Sequence, residues 1–354
     1  MTLKLSLSVL DQSPMRFGGS VADALRESIT LAQITERLGY CRYWVAEHHN
    51  SNSYACTTPE LLISQIAAGT KEIRVGSGGV MMLNYSALKV AEQFRVLEAL
   101  YPGRIELGIG RAAGADPLTA SALSYPRSPV PPADFRQQVV DLLGYLQGDV
   151  APDHPYQKVR AQPGPIPDSY PDIWLLGSSQ ESMKLAAELG LPFAFADFLC
   201  TTRDEGFAAA ETYRRIFRPS AQLKEPRFSV AFDVICAPTS EAARSIALSR
   251  NFDRVAQAYG VQGLIPPDEV LEYELTEEVL NFMASWAQTG IEGDPAKVRA
   301  EILNLAAAYG TSHISILTNC YAFADRARSY ELLAGAFGLR EKVNPALMNH
   351  QGGA

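Results

Sequence analysis

The feature that most restricts this chain's fold is a repeated exchange between short apolar runs and longer amphipathic stretches. Strand candidates fall at residues 5–10, 43–46, 73–77, 105–109, 173–176, 193–195, 228–237 and 313–317. Each is followed by helical periodicity. In 21–38, Ala24, Leu25, Ile29, Leu31, Ala32, Ile34 and Leu38 recur at helical spacing and Gly39 supplies the stop. Thr58-Pro59 opens the next helix as N-cap and first helical residue, and Pro102-Gly103 closes the one over 88–100. Alternating β and α units imply a parallel sheet with right-handed crossovers, and eight units favour closure into a (β/α)₈ barrel, the TIM-barrel architecture. An open doubly wound sheet competes, but no GxGxxG follows the first strand as a dinucleotide site there would require.

At 354 residues the chain exceeds one average domain, yet a single barrel with insertions reaches this length. One domain over 1–340 with a C-terminal tail, 341–354, is expected. Two proline-rich regions, 114–132 and 149–171, read as non-helical loops. The long stretch 258–293, with Pro266-Pro267 and a helical segment at 278–286, reads as an insertion serving as a lid.

Charge and cysteine usage exclude several function classes. The net charge is −8 with no basic run, which disfavours nucleic acid and anionic membrane surfaces. Five scattered cysteines without a CxxC make a poor disulfide framework and read as buried small hydrophobes in a reducing, cytoplasmic setting. The apolar N-terminus lacks a basic leader region, and no run approaches the roughly 18 apolar residues of a membrane span.

In a parallel barrel, chemistry gathers at the C-terminal strand ends. Those ends read Asp11-Gln12-Ser13-Pro14, Glu47-His48-His49-Asn50, Ser77-Gly78-Gly79, Gly110-Arg111, Gly177-Ser178-Ser179 and Asp197, while the strands themselves hold almost no titratable residues. Adjacent histidines on extended backbone point to opposite faces, so only one faces the mouth; no metal-ligand spacing is present and no metal is expected. A histidine there is either a base or orienting group, or simply bonded to loop backbone. Ser77-Gly78-Gly79 admits a flat ligand close to the backbone, or is a plain tight turn. Ser178, Ser179 and Ser182 at a helix start offer N–H groups and hydroxyls to a phosphate, and Arg111 adds a cation. Capping serines and a surface arginine are the plainer alternative. A phosphate site beside a glycine-lined strand end fits a mononucleotide such as FMN, and equally a sugar phosphate.

These segments resemble the bacterial luciferase-like, flavin-dependent monooxygenases. The resemblance is carried by Trp44-Val-Ala-Glu-His-His-Asn50, Val75-Gly-Ser-Gly-Gly-Val-Met81, Lys89-Val-Ala-Glu-Gln93, Tyr101-Pro-Gly-Arg-Ile-Glu-Leu-Gly-Ile-Gly-Arg111, Trp174-Leu-Leu-Gly-Ser-Ser179 and Gly190-Leu-Pro-Phe-Ala-Phe195. It extends over about residues 5–250 and 293–333, and is strongest toward single-chain tailoring oxygenases of natural-product pathways.

The resemblance implies reduced FMN (FMNH2) as cofactor and O2 as cosubstrate. One oxygen atom would pass through a flavin C4a-(hydro)peroxide to a small organic substrate. It implies His48 as catalytic residue, a non-prolyl cis peptide at Gly78-Gly79 supporting the flavin ring, and Arg111, Gly177, Ser178, Ser179 and Ser182 near the phosphate. A mobile lid at 258–293, a separate NAD(P)H:flavin reductase and a homodimer through helices 59–69 and 88–100 also follow from it. Leu83 and Ala87 stand where many relatives carry proline, and Asp197-Phe198-Leu199 where close relatives often place histidines, so substrate identity is open. Alternatives are an F420-dependent oxidoreductase of the same superfamily, a catalytically silent flavin-binding partner subunit, and a metal-dependent barrel hydrolase.

Overall fold

The computed structural model describes residues 4–164 and 169–339; the expected tail, 341–354, lies outside them. Among the described residues nine strands form: β1 (Ser6–Asp11), β2 (Arg42–Val45), β3 (Arg74–Met81), β4 (Ile105–Gly110), β5 (Asp172–Gly177), β6 (Phe193–Ala196), β7 (Phe228–Cys236), β8 (Ile291–Gly293) and β9 (His313–Leu317). Twelve α-helices accompany them among the described residues. The first six are α1 (Val21–Arg37), α2 (Pro59–Gly69), α3 (Ala87–Leu100), α4 (Pro117–Ser124), α5 (Phe135–Gln147) and α6 (Gln180–Leu189). The others are α7 (Asp204–Ile216), α8 (Ser240–Asp253), α9 (Pro267–Val270), α10 (Glu277–Ala287), α11 (Pro295–Tyr309) and α12 (Phe323–Phe337).

Eight strands close a parallel ring in the order β1-β2-β3-β4-β5-β6-β7-β9 and back to β1. The expected (β/α)₈ barrel is therefore the fold. β8 was not foreseen. It is three residues long and pairs outside the ring, Ile291–Gly293 running parallel to Val234–Cys236 of β7. β3 also runs farther than the sequence pattern indicates, through Gly78-Gly79 to Met81, with a register shift against β4 between Gly78 and Val80.

Strand alternation builds two cores. Val9, Val45, Val75, Leu107 and Ile173 point outward and pack with helix residues such as Leu31, Ile63, Phe94 and Leu142. Leu10, Trp44, Trp174, Ala194, Ala231 and Leu317 point inward and fill the barrel. Beneath them is a polar layer that the strand pattern conceals. Arg42 Nη2 donates to Glu106 Oε1 at 2.9 Å, Trp44 Nε1 donates to Glu106 Oε2 at 2.6 Å, and the Arg42 guanidinium lies 4.5 Å from the Trp174 ring centroid. The expectation that the strands hold almost no titratable groups is thus corrected. A buried carboxylate is tolerated here because it is paired and fully hydrogen-bonded.

A second buried pair ties the last helix to the first strand. Arg326 of α12 donates to Asp11 Oδ1 at 2.5 Å, and the Tyr43 hydroxyl donates to Asp11 Oδ2 at 2.5 Å. Burial alone would raise the Asp11 carboxyl. Arg326, with hydrogen bonds from Ser28 and Tyr43, holds it below the usual carboxylate range.

Two loop expectations and one about the cysteines are refined. The 114–132 region is not wholly non-helical: Asp116 caps α4 by accepting from the Leu118 and Thr119 N–H groups, and Pro117 sits at its first position, where a missing N–H costs nothing. Much of the 258–293 stretch lies against α8, and Leu264 bridges to Arg16 in the loop after β1. Val261, Ile265, Val270 and Met283 of the stretch pack in one cluster with Phe252 and Ala256, and the guanidinium of Arg254 stands 4.2 Å from the Trp286 ring centroid. The cysteines are free thiols, Cys41 exposed and the other four buried. No helix among the described residues is long and apolar enough to cross a membrane.

Candidate functional site

A cavity of about 790 Å³ opens at the C-terminal ends of the strands. It exists because several inward positions carry almost no side chain: Gly78, Gly110, Ala194, Ala196 and Ala231 line it. Space left by glycine and alanine in a ring of strands cannot be refilled by the rigid backbone. Leu10, Trp44 and Leu176 form its floor, and Met81, Leu83 and Phe198 add further apolar wall.

One side is polar and built around the start of α6. Gly177 has φ +150°, a conformation that side-chain-bearing residues rarely adopt, and it turns β5 into the helix. Ser179 is the N-cap, its hydroxyl accepting from the Ser182 N–H at 3.4 Å. Ser178, Ser179 and buried Ser182 all face the cavity. Arg111, from the end of β4, donates to Ser179 Oγ and Glu181 Oε2, both at 3.3 Å. Free helix N–H groups, hydroxyls and a guanidinium converge where an anionic oxygen would sit.

On the β2 side, His48 lines the cavity. Its ring lies 4.5 Å, centroid to centroid, from Tyr54, and its buried Nδ1 has no hydrogen-bond partner. Burial, aided by neighbouring His49, lowers its pKa from 6.5 to about 4, so the imidazole is neutral at physiological pH. His49 turns the other way, as alternation requires, and its Nε2 lies 2.7 Å from Glu47 Oε1. Glu47 is otherwise spoken for: Oε2 accepts from the Met81 N–H at 3.0 Å and Oε1 from the Tyr85 hydroxyl at 2.8 Å.

Not every sequence-derived candidate reaches the cavity. His48, Gly78, Arg111, Gly177, Ser178, Ser179 and Ser182 line it. Ser77 and Gly79 do not. Ser77 is buried and its hydroxyl donates to the Gly108 carbonyl at 2.8 Å, while a Cβ at Gly79 would come within 2.7 Å of that same carbonyl oxygen. Both belong to the β3–β4 junction. The Gly78–Gly79 peptide is cis. Leu83 lines the cavity, whereas Ala87 packs in the outer core. Asp197 turns away and accepts from Tyr309 and Arg203, leaving Phe198 and Leu199 at the mouth. No residue of the expected lid, 258–293, is among the lining residues; Ala112–Gly114, Ala120, Pro129, Val130 and Pro132 of the β4–α5 connection are.

The Glu47 network and Tyr54 went unrecognised in the sequence. Glu47 stands beside His48 in the quoted motif, but its partners Met81 and Tyr85 are 34 and 38 residues away along the chain. Among the described residues no group of three metal-ligating side chains assembles.

Comparison with known proteins places this geometry. An N-acetyl-S-alkylcysteine monooxygenase of Bacillus subtilis is 36% identical over 334 residues, covering 94% of this chain and 98% of its own. The crystal structure of apo-MsnO8 superposes with a TM-score of 0.85 at 36% identity, covering 96% of this chain and all of that one. Below 25% identity the likeness is of fold alone. It includes the FMN complex of the oxygenating constituent of 3,6-diketocamphane monooxygenase from Pseudomonas putida (TM-score 0.70, 19% identity, 96% of this chain and 100% of that one). It also includes an F420-dependent secondary alcohol dehydrogenase (TM-score 0.67, 15% identity, 95% and 99%). The family model described as luciferase-like monooxygenase matches residues 5–312, nearly the whole described barrel. With that span and these relatives, the chain belongs to the luciferase-like monooxygenase family.

Proposed function

We propose that this protein is an FMNH2-dependent monooxygenase that places one oxygen atom of O2 on a small organic substrate. The observation that carries the reading is a single cavity with an anion-binding end, Arg111 with Ser178, Ser179 and Ser182, and an apolar body faced by a neutral histidine. Its volume falls in the roughly 300–1,000 Å³ range of small-molecule sites.

The residues present fit a flavin mononucleotide on three counts. The α6 N-terminus and Arg111 match a terminal phosphate. Gly78 brings bare backbone to the cavity wall, because Leu10 and Trp44 already occupy the space a Cβ would need, 2.6 and 3.1 Å away. The His48 imidazole lines the cavity, and its buried Nδ1 has no partner within the protein. Reduced FMN held there supplies the two electrons that split O2, one oxygen going to substrate and the other to water.

The chain's own part is position and shelter. Arg111 and the serines hold the phosphate end. Trp44, Leu10, Leu176 and Phe198 exclude water from the reacting end. His48, neutral at working pH, accepts or donates a proton at the ring nitrogen facing the ligand, with Tyr54 packed against the ring. Glu47 pins the Met81 backbone, Tyr85 and His49, and so fixes the loop beneath His48.

The reading includes a separate NAD(P)H:flavin reductase, a cytoplasmic setting, a role in natural-product tailoring and a homodimer through α2 and α3, where Leu61, Val96 and Leu100 are exposed. Its similarity to the N-acetyl-S-alkylcysteine monooxygenase of Bacillus subtilis supports oxygen transfer to a small organic molecule. The experiment supplies reduced FMN from a generic reductase under ¹⁸O2, with F420 in parallel. Uptake of reduced FMN and labelled product are expected. Uptake of F420 alone with hydride transfer, or no flavin uptake, overturns the reading.

A further inference from the structure

We infer that the molecule oxygenated here is an uncharged, largely apolar compound presenting one hydrogen-bond-accepting oxygen, such as a ketone; this deepens the oxygenase reading above and rests on it.

Followed around the barrel mouth, the cavity wall divides by chemistry. The β4–β5 sector carries Arg111 and the α6 serines, committed to the phosphate end. The β2 sector carries Glu47, whose two oxygens are already satisfied by Met81, Tyr85 and His49. The remaining arc, from β6 through β7 and β9 to β1, holds Ala194, Ala196, Phe198, Leu199 and Ala231, with Ser315 and Gln12 as its polar groups. None of these is charged. Behind the arc, Arg250 is buried, is paired with Asp233 and Glu292, also bonds Asn251, and does not line the cavity.

A carboxylate or ammonium seated on this arc would lose water against alkyl and ring surfaces with no counter-charge on the arc itself, at a cost of several kcal/mol. A neutral molecule loses little. Gln12 sets the polar demand. Its Oε1 accepts from Asn319 Nδ2 at 2.7 Å, which leaves its NH2 to donate and so selects an acceptor oxygen. Discrimination of this kind is strong because the rejected ligand leaves a charge unpaired, rather than merely fitting less well.

The test is calorimetric titration of a shape-matched pair, 2-acetylnaphthalene and 2-naphthoate, into the FMN-loaded protein at neutral pH. The ketone is expected to bind at least about tenfold more tightly. Equal or tighter binding of naphthoate overturns the inference, and so does binding of neither. Ala231→Trp, which fills the arc, is expected to weaken the ketone by a similar factor; unchanged ketone binding in a variant with native circular dichroism also overturns it. Should that variant not fold, the native comparison decides alone. FMN uptake is read separately by quenching of flavin fluorescence. Its failure counts against the oxygenase reading, and the pair is then titrated into the flavin-free protein to judge the wall.

Discussion

His48 stays uncharged across the physiological range because burial takes its proton away. An unfolded histidine protonates near 6.5, the folded one only at about 4, so the unfolded chain binds more protons between those values. Stability therefore falls as pH drops from 6.5 toward 4, by at most roughly 3 kcal/mol. We expect His48→Gln to lose less melting temperature than native protein between pH 7 and pH 5, and to abolish oxygenation while retaining flavin uptake. Equal pH dependence of the two melting curves contradicts this. At the phosphate end, Glu181 competes for Arg111 at 3.3 Å and is largely exposed. Glu181→Gln is expected to tighten FMN binding by about twofold to fivefold at low salt, an advantage that fades at high ionic strength. Arg111→Ala should weaken it by tenfold or more, read by fluorescence quenching. At this scale the sequence was informative where a residue's place depends on its own strand end: His48, Arg111 and Ser178 line the cavity as their positions imply. It was silent where the partner is remote. The tie of Glu47 to Met81 and Tyr85, and the burial of Ser77 against Gly108, depend on strand neighbours that no local spacing encodes.

Elements were legible when their periodicity was complete. The ring strands and the long helices announce themselves through apolar spacing and glycine stops. β8 escaped because three residues carry no period, and α4 because prolines drew attention away from the Asp116 cap. The 258–293 stretch was read as a lid from its length and Pro266-Pro267. Its apolar residues form a cluster with Phe252 on α8, a pairing invisible without the fold. The β3–β4 pair shows how tightly elements constrain each other. A Cβ at Gly108 would lie 2.2 Å from the Ser77 carbonyl oxygen, and one at Gly76 would lie 2.3 Å from that of Glu106. Backbone cannot yield as a flexible side chain can. Gly108→Ala is therefore expected to cost about 1–3 kcal/mol, measured as a lowered urea midpoint, and to disturb the cavity wall at Gly78 as well. Gly103→Ala meets no atom within 4 Å but carries φ +75°, so its penalty should be that of backbone strain alone.

At the scale of the molecule, closure of the ring depends on joining the two ends of the chain's path. β9 hydrogen-bonds to β1, and Arg326 reaches from α12 to Asp11 inside that seam. Removing one partner leaves a buried charge alone. Arg326→Met is expected to destabilise by about 3–5 kcal/mol, whereas Arg326→Met with Asp11→Asn should recover much of the loss. Denaturant titration of the three variants checks it; an additive double mutant would contradict the pairing. The Asp11 carboxyl is held low, so its contribution is present at neutral pH and lost as pH falls through its depressed folded value.

Because room at the barrel mouth is made by omitted side chains at Ala194, Ala196 and Ala231, and not by bending strands apart, capacity here is a quantity adjustable in single methyl increments. Laboratory evolution confined to those three codons could trim or enlarge what the pocket admits while the helices outside register no change. Family members on one shared scaffold would then drift between substrates by gaining and shedding carbons along a single arc.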